Sequence, residues 1–307
     1  MLATFILCFL VIVAGGVVRT TQSGMGCPDW PRCFGRWIPP MNASQLPKDF
    51  EKYLRVQDID HSFNVYHTWI EYLNRMLGAL LGVFAIIQVA LIYPKRDKMQ
   101  NAFRLAIAFL GIVILTGLFG AAVVKLNLAN LSITVHLFFA LFLTQSQLAL
   151  YMNIKGKLNR KTAGTRIRKV LFLLLLVILV QCILGTMVRM YVDDISKTLH
   201  YLQRDAWLAE SPVSFIIHRS FSLLVLGSVL YATWYCRKVA ALKTHLRRLL
   251  VIILASMLTG LVLYYLDMPA LAQPIHLLLG TLAITQTMYA LMYTKNTTDL
   301  HKPQQLK

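Results

Sequence analysis

The chain has 307 residues, of which 57% are hydrophobic and only 14% are charged. Soluble globular proteins carry about 25% charged residues, so this composition excludes a soluble, a disordered and a fibrous chain. The apolar residues form long runs, which predicts an all-α polytopic membrane protein. The net charge of +18 is of the size found in proteins that bind nucleic acid. Basic loops beside a membrane explain that charge better, so we expect no nucleic-acid partner.

Eight segments have the roughly 20 apolar residues that a helix needs to cross a bilayer. They cover residues 2–18, 66–93, 103–124, 130–152, 169–190, 212–236, 247–266 and 271–293. The first segment has no basic flank and no small-residue cleavage site before the next polar stretch. We therefore expect it to be a retained helix and not a removed signal peptide.

The loops between these segments differ in charge on the two sides of the membrane. Loops 94–104, 153–169 and 237–248 and the C-terminal tail together carry 19 Lys and Arg against two acidic residues. The loops on the other side carry 10 basic and 10 acidic residues. The positive-inside rule then predicts a multi-pass protein of the cell membrane with both termini in the cytoplasm. Loops 19–65 and 189–211 face outward in this topology.

The two halves of the sequence look duplicated. Leu115-Thr116-Gly117-Leu118 in the third segment recurs as Leu258-Thr259-Gly260-Leu261 in the seventh. Asn74-Arg75 matches His218-Arg219, and His136 matches His276, in the same order along the chain. The pattern predicts two pseudo-symmetric four-helix bundles, residues 1–152 and 153–307. Each half has an even number of helices, so the halves are expected to run parallel about an axis along the membrane normal.

Three of the eight histidines, His136, His218 and His276, lie one to two turns inside predicted helices, counted from the outer face. Ionisable groups inside a bilayer are costly and usually functional, whereas the remaining histidines are expected to be solvated or interfacial. Those remaining histidines are His61, His67, His200, His245 and His301. Zinc prefers a closed cluster of ligands, but single histidines on facing helices suit haem iron. His218 and His276 are therefore predicted to bind one haem in the second half.

The first half offers His136 but has Asn74 where the repeat asks for a second histidine. An amide is a poor iron ligand. We therefore expect a five-coordinate haem on His136 with one open face that can bind oxygen, unless the first half has lost its haem. This asymmetry favours a reaction site in the first half and an electron-transfer site in the second.

Glu71 is the only acidic residue inside a predicted membrane segment. It precedes Asn74 by three residues and Arg75 by four, so it shares a helix face with both. Glu71 is therefore either a catalytic carboxylate, moving protons or stabilising positive charge, or the partner of Arg75 in a structural ion pair. Arg75 and Arg219 are predicted to contact haem propionates, because arginine binds carboxylates with two parallel hydrogen bonds.

Two cysteines lie in the outward loop 19–65. The motif reads Cys27-Pro28-Asp29-Trp30-Pro31-Arg32-Cys33. Five intervening residues permit a disulfide, and the expected compartment is oxidising. The pair is either a structural cross-link or a redox-active dithiol that exchanges electrons with a partner.

Several of these features resemble the haem A synthase family. They are the outer-loop segments 15–19 and 23–35, the run 71–75, and the placing of His136, His218-Arg219 and His276 in an eight-helix duplicated plan. The resemblance covers essentially the whole chain, and the outer-loop motif is its most specific part.

This resemblance implies an enzyme that oxidises a methyl group of haem O to the formyl group of haem A, for cytochrome oxidase biogenesis. Molecular oxygen is consumed in successive hydroxylations. His218 and His276 are implied to bind the iron of a haem b. His136, with the helix position of Asn74, is implied to hold the substrate haem.

By the same resemblance, Glu71 matches the catalytic glutamate of the family, and Cys27 and Cys33 match its outer-loop cysteine pair. Three features depart from the family pattern. Asn74 replaces the histidine of the usual glutamate-x-x-histidine motif, the cysteine spacing is one residue shorter, and the second outward loop, 189–211, has no cysteine pair.

Two other functions stay open at this point. A membrane b-type cytochrome that only transfers electrons needs no more than His218 and His276, although Glu71 favours the enzyme. A haem transporter is disfavoured because the polar residues lie near the outer face and not at the midplane. The expected partners are a haem O synthase as supplier, an electron donor and membrane lipid, and a homo-oligomer is left open.

Overall fold

The computed structural model describes residues 1–54, 63–126, 128–155 and 161–296. Nine α-helices are found in these ranges: α1 Leu2–Thr20, α2 Glu51–Leu54, α3 Val65–Ile92, α4 Gln100–Lys125, α5 Asn130–Ile154, α6 Thr165–Thr198, α7 Val213–Tyr235, α8 Ala240–Tyr265 and α9 Ala272–Tyr293. All except the four-residue α2 are long and apolar enough to cross a membrane. The prediction of an all-α chain with eight membrane helices is confirmed.

The largest difference from the predicted segments is at α6, which continues to Thr198 although the apolar run ends near residue 190. The extra turns carry polar residues on one face, and Arg189 and Asp193 approach to 3.4 Å across one helical turn. The other face packs on Trp207, Phe215 and Met268 through Val192. Part of the predicted outward loop 189–211 is therefore helix.

The chain divides into two compact units, Met1–Ile154 and Lys155–Lys307. Within the first unit, α1 packs against α3 and α5, and α4 packs against the same two helices. Within the second unit, α6 packs against α7 and α9, and α8 packs against those two as well. Each unit is thus a bundle of four long helices. The predicted pseudo-symmetry axis stays a prediction.

Large apolar side chains cover the outside of both units. Examples that are more than half exposed are Leu73, Leu118, Leu223, Val251 and Leu258. A surface of this kind would promote aggregation in water but suits contact with lipid tails. In the first unit the interior contains its own apolar cluster, in which Phe109 is fully buried between Leu81 and Leu143. The protein is a multi-pass membrane protein.

A small sheet lies in the second unit. Strands β1 (Lys161–Ala163) and β2 (Thr294–Asn296) pair in parallel, and the Arg168 guanidinium donates to the Thr294 carbonyl. These three-residue strands tie the end of α9 to the beginning of α6. The sequence analysis did not predict them.

Candidate functional site

The segment that follows α1 is fixed to the beginning of α3. Cys27 and Cys33 form a disulfide. The Thr68 hydroxyl donates to the Gly26 carbonyl over 2.9 Å, and a side chain at Gly26 would lie 2.3 Å from the His67 carbonyl oxygen. Glycine is therefore needed at position 26, because the backbone of the loop touches the backbone of the helix.

Asp29 holds the inside of this loop together. One carboxylate oxygen accepts from the Phe34 N–H over 2.6 Å, and the other accepts from the Gly35 N–H over 2.9 Å. Phe34 has a positive φ of 53° and Gly35 one of 73°, a backbone conformation that these two hydrogen bonds stabilise. The loop is therefore a folded structure with a defined relation to α3.

Glu71 lies under this loop and is only 4% exposed. Its Oε2 accepts from the Cys27 N–H over 2.7 Å. Its Oε1 accepts from Arg75, over 3.1 Å from Nε and 2.5 Å from Nη2. A carboxylate with this many partners is held in one orientation, and the neighbouring guanidinium balances its charge.

Arg75 connects Glu71 to the loop. Its Nη1 donates to the carbonyls of Asp29 (2.6 Å) and Arg32 (3.0 Å), and its Nη2 donates to the Cys27 carbonyl (2.6 Å). With the two bonds to Glu71, these contacts account for all five N–H groups of the guanidinium. The structural ion pair that the spacing allowed is therefore present. The predicted propionate contact of Arg75 stays a prediction and would require some of these bonds to exchange.

Asn74 lies one helical turn beyond Glu71 on α3 and is half-buried. Its Oδ1 is buried without a hydrogen-bond partner in the described part of the chain. A buried amide oxygen without a partner costs about 1–3 kcal/mol, which points to a position that a bound group completes.

His136 projects from α5 towards α4. Its ring lies nearly parallel to Phe119, with 6.5 Å between centroids, and its Cε1 is 3.3 Å from where a side chain at Gly120 would begin. Its Nδ1 is buried without a hydrogen-bond partner among the described residues. Glycine at position 120 thus makes room for an imidazole whose Nδ1 has no hydrogen-bond partner in the described part of the chain.

His218 and His276 face each other inside the second unit, with ring centroids 6.4 Å apart and ring planes at 73°. Each ring again lies against a glycine, His218 on Gly185 and His276 on Gly260. The His218 Nδ1 has no hydrogen-bond partner in the described chain, whereas the His276 Nδ1 is 2.9 Å from the Thr259 hydroxyl.

The separation of these two imidazoles fits a shared metal ion. Two imidazoles that bind one ion from opposite sides, at metal–nitrogen distances of roughly 2.0–2.1 Å, have ring centres about 6 Å apart. No group of three or more His, Cys, Asp or Glu that could hold a metal ion occurs among the described residues. The donor set of two imidazoles between apolar helices therefore fits a haem, which brings its own four nitrogen ligands, better than a bare ion.

The remaining predicted residues have other surroundings. Arg219 is exposed, with its guanidinium 5.7 Å from the Phe215 ring centre, so it is available to an anionic group. His245 lies beside Gln286, with 3.0 Å between Nδ1 and the amide nitrogen, and stacks near Tyr289. His61 and His301 lie outside the described residues.

Sequence reasoning missed several residues that shape these sites. The glycines that face each histidine, Gly120, Gly185 and Gly260, are separated from them by 16 to 33 residues along the chain, so no local spacing marks them. The repeated Thr-Gly pairs of α4 and α8 were visible as a repeat, but the place of Thr259-Gly260 beside His276 was not. The role of Asp29 had a usable signal, because aspartate is common in turns.

Comparisons with known proteins agree with this geometry. The family model for cytochrome oxidase assembly proteins, COX15-CtaA, matches residues 1–288. The chain is 24% identical over 274 residues to a haem A synthase of Bartonella quintana, covering 79% of this chain and 76% of that protein. It is 23% identical over 323 residues to a haem A synthase of Flavobacterium psychrophilum, covering 93% and 94%. The chain therefore belongs to the COX15-CtaA family of cytochrome oxidase assembly proteins.

Proposed function

We propose that this protein is a haem A synthase, a membrane oxidoreductase that oxidises a methyl group of haem O to the formyl group of haem A. The proposal rests on one observation: the two units differ in the side chains that they offer to a haem. The second unit has two facing imidazoles, whereas the first has His136 without a facing imidazole, an amide with a buried and unpartnered oxygen, Asn74, and a buried carboxylate, Glu71. The relatives named above support the same activity.

His218 and His276 are the residues that would hold the iron of a haem b through their imidazoles. A haem held by two histidines supplies one-electron transfer when it is bound. The protein contributes fixed imidazoles, glycines that admit them, and the exposed guanidinium of Arg219 for a propionate. A bundle of apolar helices around the pair keeps water from the iron ligands.

His136 is the proposed ligand of the substrate haem. Because Asn74 is a poor iron ligand, the opposite face of the substrate stays open to molecular oxygen. Asn74 can still donate a hydrogen bond through its Nδ2, and its unpartnered Oδ1 can accept one. These features support a site that converts its haem, in contrast to one that only stores it.

Glu71 is the proposed catalytic carboxylate. Its contacts with Arg75 and the Cys27 N–H fix the carboxylate one helical turn from Asn74. Each hydroxylation takes up protons and electrons as well as oxygen, so a carboxylate near the substrate can hold or pass a proton. Its negative charge can also stabilise positive charge that develops during the oxidation.

The charge of the loops supports a topology in the cell membrane. The loops with 19 basic and two acidic residues are proposed to face the cytoplasm together with both termini. The Cys27–Cys33 loop then faces outward. A haem O synthase is the proposed supplier of substrate, and a separate electron donor must feed the reaction. Lipid surrounds the helices, and a homo-oligomer is compatible with the fold.

A membrane b-type cytochrome is the second candidate, because the 6.4 Å pair of His218 and His276 is sufficient for electron transfer. The two functions differ in their products. Expression together with a haem O synthase, in a host that makes no haem A, followed by extraction and chromatography of the haems, separates them.

Haem A or its hydroxylated precursor is the expected product, and His136→Ala in the same host should yield neither. Haem B alone, with haem O demonstrably present and a reductant supplied, would establish the cytochrome and refute the synthase.

A further inference from the structure

We propose that Thr259 is a positioning residue that fixes the tautomer and orientation of His276, so that the Nε2 of this histidine carries the lone pair offered to iron. This inference rests on the haem site proposed for the second unit. The Thr259 hydroxyl on α8 is 2.9 Å from the His276 Nδ1 on α9. The neighbouring Gly260 leaves room for the ring, whose Cε1 is 3.5 Å from where a side chain would begin.

The tautomer follows from counting protons. A threonine hydroxyl has one proton to donate and lone pairs to accept with. The Thr259 Oγ1 donates its proton to the Ser256 carbonyl over 2.9 Å. The Ser256 backbone is also a hydrogen-bond partner of His276. A hydroxyl whose proton is already donated and a backbone carbonyl can both act towards His276 only as acceptors, so the Nδ1 carries the hydrogen. A neutral imidazole protonated at Nδ1 has its lone pair on Nε2, which is the form that binds a metal through Nε2.

The other histidines of the two sites lack this contact. Thr116 occupies the same place in the repeated Leu-Thr-Gly-Leu motif of α4, but its hydroxyl donates to the Ile112 carbonyl over 2.7 Å. Neither the Nδ1 of His136 nor that of His218 has a hydroxyl partner among the described residues. The two threonines match in the sequence motif only, because His136 lies against Gly120 and not against Gly117. A threonine hydroxyl therefore lies beside its histidine only in the second unit.

The contact also changes how strongly His276 donates to iron. A hydrogen bond accepted from Nδ1–H makes the imidazole a better electron donor, and outer contacts of this kind change metal affinity about 10- to 100-fold. A stronger donor favours ferric over ferrous iron. The Thr259 contact is therefore expected to lower the reduction potential of the bound haem and to tighten its binding.

The test compares Thr259→Val, Thr259→Ser and Thr116→Val in the full chain, purified with its bound haem. Valine keeps the shape of threonine without the hydroxyl, and serine keeps the hydroxyl. The midpoint potential of the low-spin haem is measured by redox titration, together with haem retention against a haem-binding competitor.

Thr259→Val should shift the potential to more positive values and lose haem about tenfold faster, whereas Thr259→Ser and Thr116→Val should match the parent. An unchanged potential in Thr259→Val, or an equal shift in Thr116→Val, would overturn the inference. Equal thermal stability of the variants excludes a general packing defect. Such a defect would also appear in Thr259→Ser, which lacks the methyl group of threonine.

His276→Ala separates this inference from the proposed site. If His276→Ala removes the low-spin spectrum and Thr259→Val leaves the potential unchanged, the haem site stands and the role of Thr259 falls. If His276→Ala leaves the spectrum intact, the haem site itself is wrong and the inference falls with it.

Discussion

Asn74 and His218 occupy matching positions of the two halves, and they differ in what their side chains can offer to a metal. An imidazole binds iron firmly, whereas a neutral amide does so poorly. The Oδ1 of Asn74 is buried and has no hydrogen-bond partner in the described chain. In the proposed function, the identity of this one side chain decides whether a haem held by the first unit keeps an open coordination position.

Replacing Asn74 by histidine should close that position. In Asn74→His the new imidazole would lie at the matching place of His218 and bind the sixth site of a haem held by His136. We expect the first-unit haem to change from high spin to low spin, read by optical and electron paramagnetic resonance spectra.

Leu73→His is the matched control, because position 73 is 55% exposed on the lipid-facing side of the same helix. A spin change in both variants, or in neither, would show that residue 74 does not face the iron.

At Glu71, a single substitution separates the effect of the negative charge from the effect of the hydrogen bonds. Glu71→Gln keeps an oxygen that can accept from the Cys27 N–H but removes the negative charge beside Arg75. We expect product formation to fall at least 100-fold, within the range that a general acid or base contributes, with bound haem unchanged. Haem content and product are measured on the same preparation.

Full activity of Glu71→Gln would reduce Glu71 to a structural partner of Arg75. Arg75→Lys gives the complementary measurement. A lysine keeps the charge but cannot make the five hydrogen bonds, so the loop should loosen even where the carboxylate remains ionised.

At the scale of elements, local spacing offered the Glu71–Arg75 pair as one of two alternatives, but it could not predict the further partners of that pair. The contacts from Arg75 to the Cys27 and Asp29 carbonyls join residues more than 40 positions apart. Such contacts depend on how the loop folds back on α3, which hydropathy and helical periodicity do not encode. The extra turns of α6 depend on distant residues too. They pack on Trp207 and Phe215, and no apolar run marks them in the sequence.

The docking of the outer loop on α3 can be tested at Gly26. A Cβ in Gly26→Ala would lie 2.3 Å from a backbone oxygen and 2.7 Å from the Thr68 nitrogen, so the loop must move away. We expect this overpacking to cost about 1–3 kcal/mol or more, and to expose the loop to limited proteolysis.

Gly24→Ala is the control for this change. Its Cβ would meet only the flexible end of Leu128 at 2.9 Å, which can shift. If both variants resist proteolysis like the parent, the loop is not fixed by close backbone contact. Because Glu71 accepts from Cys27, loss of docking should also reduce product formation in Gly26→Ala.

At the scale of the whole molecule, the sequence predicted the number and order of the membrane helices because apolar runs of about 20 residues are a strong signal. It also predicted that His136, His218 and His276 lie inside them. The prediction that His245 is a solvated loop residue was wrong, because α8 begins at Ala240 and includes it. What it could not predict is the distance between His218 and His276, since that depends on the packing of α7 against α8 and of α8 against α9. The proposed division of labour between the units therefore rests on the structure as well as on the repeat.

This division of labour makes a prediction that concerns both units at once. His218→Ala leaves His276 without a second axial imidazole, so the low-spin haem spectrum should disappear. His136→Ala removes the ligand of the substrate haem and should leave that spectrum intact. Both variants should lose product formation, the first because electrons no longer arrive and the second because the substrate is not held. Spectra and product analysis on the two variants, side by side, test this. If His136→Ala also abolished the low-spin spectrum, or if His218→Ala kept it, the two units could not have the separate roles assigned to them.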